Sequence, residues 1–100
     1  MIHVIAIITA VSGKRSEVID AFLKVIPLVH AEEGCIEYVP VTDVEKAGAM
    51  QTALGPDTYM VIEKWESMDA LNAHAASSHM TEYGKQVGHL IDNRVIHILN

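Results

Sequence analysis

Trp65, Glu66, His74 and His79 bring the chain's chemistry into fifteen residues. The only tryptophan ends an apolar run, and Ser67 directly after it is a helix-capping residue. His74 and His79 follow, separated by Ser77-Ser78. A flat aromatic, a carboxylate and an imidazole that titrates near neutral pH could together form a small-molecule pocket with a base in it. His74 is the first candidate for that base or for a substrate hydrogen bond. The competing reading is that it bonds a backbone carbonyl and fixes its helix. Trp65 is a candidate pocket wall, able to stack on an aromatic substrate, or else a core residue. His79 is a candidate for the rim, with a cap or core role as the alternative. Tyr38 could aim its hydroxyl into the cavity or into a subunit interface. Glu63 shares an alternating face with Trp65, so its carboxylate must be paired or neutral if that face is buried.

Other chemistries find less support. The Ser77-Ser78 pair predicts a helix restart, so the two histidines do not share one helix face. With no third ligand nearby in sequence, no metal site is expected. Cys35 has no adjacent base or cation and reads as a small buried hydrophobe. His3 and His97 fall on strands taken as outer ones, His30 and His89 near helix ends. None of the four is assigned chemistry.

The elements that must position these groups follow from periodicity. Ile2 to Val11 is β-branched and ends at the turn signal Ser12-Gly13. Both of its alternating faces are apolar, with Val4, Ala6 and Ile8 on one and Ile5, Ile7 and Val11 on the other. Ser16 is expected to cap a first helix whose apolar residues recur at helical spacing through Val29. Pro27 should kink it or end its regular part near Ile26, and Gly34 is a plausible stop. Cys35 to Val41 is a second strand, placed at a sheet edge because Pro40 cannot donate to a ladder. Thr42 to Asp57 is long for a hairpin connection and suggests a lid or a short extra helix around Ala47 to Leu54. Thr58 to Glu66 alternates as a third strand. A second helix follows with Met68 and Leu71 facing inward. A third segment presents Met80, Tyr83 and Val87, and Arg94 to Leu99 is the last strand. Met60, Met68 and Met80 read as core fillers.

This order, β-α-β-β-α-β, is the split-βαβ arrangement: an α+β, ferredoxin-like fold with a four-stranded antiparallel sheet and helices on one face. The other sheet face is apolar and uncovered, which predicts a homodimer packed sheet to sheet.

Composition bounds the rest. One hundred residues, half of them hydrophobic, form a single domain over 1–100. A net charge of −6 with no basic run argues against a nucleic-acid partner. Met1 to Ser12 is too short to span a membrane and lacks signal-peptide features, so no membrane association is expected. One cysteine fits a reducing, cytoplasmic setting.

The run Glu32-x-Gly34-Cys35-x-x-Tyr38, then Glu63-x-Trp65-x-Ser67, then Ala70-Leu71-x-x-His74 and Ser77-x-His79 resembles the antibiotic biosynthesis monooxygenase (ABM) domain over essentially the whole chain. The resemblance implies a dimeric α+β barrel. Some such proteins oxygenate quinols or polyphenols with molecular oxygen, without flavin or metal. Others degrade haem, isomerise small sugars or lactones, or have no assigned activity. The haem-degrading pattern needs an asparagine on the first strand, absent here, and its tryptophan lies elsewhere. The long 42–57 connection also departs from the commoner short turn. The resemblance therefore implies a cofactor-free monooxygenase on a small aromatic, with His74 as base or proton relay and Trp65, His79 and Tyr38 around the substrate. A small-metabolite isomerase or a non-catalytic, ligand-binding or stress-related dimer are the alternatives.

Overall fold

A computed structural model describes residues 1–100. The elements are β1 (Ile2–Ala10), α1 (Arg15–His30), β2 (Cys35–Val41), β3 (Thr58–Trp65), α2 (Met68–Ala75), α3 (Ser78–Val87), a single 3₁₀ turn (Gly88–Leu90) and β4 (Ile91–Leu99). The sheet is antiparallel in the order β2-β3-β1-β4. α1 therefore crosses over β3, and the α2–α3 pair crosses over β1, as the split-βαβ reading requires.

Alternation decides which face is covered. Val4, Ala6, Ile8 and Ala10 of β1 and Tyr59, Val61, Glu63 and Trp65 of β3 are all buried. They meet Val18, Phe22, Val25 and Val29 of α1 and Leu71 of α2. The opposite face carries Ile5, Ile7, Met60 and Ile62, each only half-buried, and the exposed Val39 and Val95. Pro40 stands on edge strand β2, where a missing N–H costs no ladder bond. β1 lies inside the sheet rather than at its border, and His97 faces Ile5 while His3 faces Leu99.

Several local expectations change. Ser16 does not cap α1: Lys14 holds the cap position, and no side chain bonds there. The helix start is anchored instead by Arg15, whose Nη1 donates to the carbonyls of Gly55 and Thr58 at 3.1 Å each. α1 also continues past Pro27 to His30. Proline falls in the last turn, and burial of Val25 and Val29 holds that turn on the sheet.

The 42–57 connection forms turns, not a helix. The Asp43 carboxylate accepts the amides of Leu54 (2.8 Å) and Gly55 (3.0 Å). Those two bonds hold its carboxyl below the usual range. Gly48 and Gly55 adopt φ of +96° and +97°, which a right-handed helix forbids. Met68 is exposed, and β4 begins at Ile91, three residues before the expected start, with its pairing to β1 shifting register between Thr9 and Ala10.

Candidate active site

The strand-to-helix corner builds the site. Trp65 ends β3 with no exposed surface. Ser67 then turns the chain, and its Oγ accepts the amide of Ala70 at 3.1 Å, capping α2. That fixes the start of a two-turn helix, whose last turn carries His74 into the interior. Ser77 breaks the chain before α3, and its hydroxyl donates to the His74 carbonyl at 2.7 Å. His79 thereby enters from a separate helix.

Both histidines converge on Glu32, in the turn after α1. His74 Nδ1 and His79 Nε2 each lie 2.8 Å from the same Oε2 atom. A carboxylate only accepts, so both rings donate. Neutral His74 is thus the Nδ1–H tautomer, with its lone pair on Nε2, which has no protein partner. The imidazole packs against Trp65 at 4.6 Å between ring centroids and against Tyr38 at 5.2 Å. Gly34 makes this closeness possible. Its φ is +84°, and a Cβ there would sit 2.6 Å from the Ala70 Cβ of α2.

A cavity of about 600 Å³ opens beside this cluster, between the α2–α3 pair and the sheet. That volume is in the range of small-molecule sites. It is mostly apolar and opens toward β4, where Ile96 and Ile98 stay about half exposed. His74, Tyr38 and Glu63 all reach its wall. Trp65 and His79 do not. Trp65 lies behind the wall, its Nε1 donating to Glu63 Oε1 at 2.9 Å, and His79 stands behind His74 on Glu32. The 42–57 segment contributes no lining residue, so it is no lid on this cavity.

Burial governs the ionisation of the lining. It pushes the Glu63 carboxyl up, against the opposing pull of the Trp65 N–H and the His74 charge. It also lifts the Tyr38 hydroxyl well above the usual phenol range, with Glu63 adding to the effect. Tyr59 and Tyr83 touch through their hydroxyls at 3.2 Å, and both are raised mainly by burial. The pocket therefore presents neutral phenol donors. Cys35 is raised by burial and then by Glu32 and Glu63, which leaves it a poor nucleophile.

Glu32 is the participant that spacing did not reveal. It lies 42 residues from His74, and no local pattern links the two. Its place in the Glu-x-Gly-Cys run was the only sequence signal. Glu32 Oε2, His74 Nδ1 and His79 Nε2 lie within 4.8 Å of one another, so they also form a possible set of metal donors. In the arrangement described, both nitrogens spend their N–H on the carboxylate, and a metal would need those protons removed.

The chain is similar to known proteins throughout. It is 40% identical over 89 residues to the Escherichia coli K12 protein named "Probable quinol monooxygenase YgiN", covering 87% of this chain and 85% of that one. The crystal structure of PA3566 from Pseudomonas aeruginosa superposes with a TM-score of 0.80 at 23% identity, over 98% of this chain and 90% of that one. Rv0793 from Mycobacterium tuberculosis gives 0.79 at 24% identity, over 99% and 92%. These two likenesses speak to the fold. No helix is long and apolar enough to cross a membrane. With the antibiotic biosynthesis monooxygenase family model matching residues 1–86, the chain belongs to that family.

Proposed function

We propose that this protein is a cofactor-independent monooxygenase that oxygenates a small aromatic quinol or polyphenol with molecular oxygen. The observation that carries the reading is His74 on the wall of a mostly apolar cavity, held from behind by Glu32. Glu32 fixes the ring and stabilises the imidazolium that forms when Nε2 takes a phenolic proton. The resulting phenolate gives one electron to oxygen, and the radical pair joins at a ring carbon to form a C–O bond. Cleavage of the O–O bond releases water and leaves a hydroxyquinone. One oxygen atom enters the product, the other becomes water, and the quinol supplies all four electrons. Tyr38 offers a neutral donor to the developing oxyanion. The relative's name supports a quinol as substrate.

The protein acts in the cytoplasm as a homodimer joined through the open sheet face. Ile5, Ile7, Met60 and Ile62 form an apolar surface there, of the kind a second copy would cover. Sedimentation at micromolar concentration should give a dimer, and a monomer would contradict this part.

Oxygen uptake with a panel of hydroquinones tests the reaction. Uptake should fall by about 10²-fold or more in His74→Ala. No uptake with any quinol, or uptake unchanged in the variant, would sink the assignment. Anaerobic turnover of a lactone or sugar phosphate would point instead to an isomerase using the same base.

A further inference from the structure

The cavity has a second polar end. Sheet register places its floor in rows. Glu63, Val4, Ile98 and Tyr38 stand side by side at one level, next to His74. Tyr59, Ile8 and Arg94 stand side by side at another. The rows are four residues apart, which is about 13 Å along a strand. Between them lie Val61, Ala6 and Ile96, all apolar. Arg94 is the only lysine or arginine on the lining. It takes part in none of the chain's ion pairs, and its charge acts on the Tyr83 hydroxyl.

We infer that Arg94 is a specificity residue for an anionic group, so that the cavity takes an elongated aromatic with a phenolic hydroxyl at His74 and a carboxylate or similar anion at Arg94. Three physical points support it. Arg94 is solvent-exposed on the cavity lining, and its unpaired guanidinium can donate two parallel hydrogen bonds to a planar anion. Tyr59 stands in the same row with the Tyr83 hydroxyl of α3 against its own, and since one of the two donates to the other, the pair leaves one neutral O–H donor there. The one carboxylate of the lining, Glu63, is by contrast at the far end, where it would repel an anion. The two ends thus orient one substrate in one direction. This inference takes the phenol end from the monooxygenase reading, while the anion end stands on Arg94 alone.

The test pairs a binding measurement with turnover. Calorimetry compares 6-hydroxy-2-naphthoate with 2-naphthol, on the wild type and on Arg94→Gln and Arg94→Lys. The carboxylate should bind about tenfold or more tightly than the neutral naphthol, and added salt should shrink that gap. Arg94→Gln should abolish the preference and Arg94→Lys should keep part of it. In turnover, the preference for a carboxylated naphthalene-1,4-diol over the plain diol should fall in Arg94→Gln chiefly through KM. Equal affinity for the two naphthols, or a preference that survives Arg94→Gln, overturns the inference. Absent oxygen uptake with an intact, Arg94-dependent preference overturns the monooxygenase reading and leaves the anion end standing. Should Arg94→Gln fold poorly by circular dichroism, the Arg94→Lys comparison and the salt dependence decide the matter.

Discussion

Replacing Gly34 by alanine should be among the most damaging single-methyl additions to this protein. Two costs combine. The backbone at φ +84° lies in the left-handed region, which costs a residue with a Cβ about 1–2 kcal/mol. The new Cβ would also sit 2.6 Å from the Ala70 Cβ, and neither atom belongs to a flexible side-chain end. Relief requires α2 to move off the turn, an overpacking cost of about 1–3 kcal/mol. The sum is about 2–5 kcal/mol. Gly13 is the internal control, because its φ is +76° but nothing lies within 4 Å of its would-be Cβ. Gly13→Ala should therefore lose only the conformational part, about 1–2 kcal/mol. Urea unfolding of both variants measures the difference, which isolates the clash. The displaced helix carries His74, so Gly34→Ala should also loosen the Glu32 link and lower oxygen uptake. Ala70→Gly in the Gly34→Ala background should recover part of the lost stability, with a coupling of about 1–3 kcal/mol. Equal losses in Gly34→Ala and Gly13→Ala, or no coupling with Ala70, would refute the reasoning.

Three further outcomes follow from the same geometry. Glu32→Gln removes the charge that both histidines share, and kcat for oxygen uptake should drop by about 10²-fold with a smaller change in KM; a variant of wild-type kcat would remove Glu32 from the site. Ser67→Ala loses the cap of α2 and should cost about 1 kcal/mol in urea unfolding, whereas Ser16→Ala, at a position that caps nothing, should cost less. Glu63 has a raised folded-state pKa, so its contribution to stability is full below the ordinary carboxylate range and is lost as pH rises through the folded value. Glu63→Gln keeps an acceptor for Trp65 and should be more stable than the wild type at pH 8, with the gap closing as pH falls toward 4; a constant gap across that range would show that the charge is not the cause.

Much of the fold was legible because alternation and helical spacing are local signals. β1, β2 and β3 fell within a residue of their expected ends, and the edge position of β2 followed from Pro40. The misses arose where tertiary contacts outweighed local preference. Arg15 reached carbonyls 40 and 43 residues away and displaced the expected cap at Ser16. Asp43 tied down the 42–57 segment as turns. Arg94 read only as the start of a strand, because nothing local says that its row opens on a cavity.

The site divides along the same line. Residue types and motif spacing by themselves determined the family, the split-βαβ order, the Ser67 cap, and the choice of His74 as the group to watch. A motif carries that much because capping and strand alternation act over a few residues. Only the folded chain decided what His74 touches. Glu32 arrives from the end of another helix, Trp65 withdraws behind the wall, and His79 turns toward Glu32 rather than toward the cavity. Such pairings depend on how the turn after α1 packs against α2 at Gly34. Packing sums contacts between residues far apart in sequence, so no local pattern encodes it.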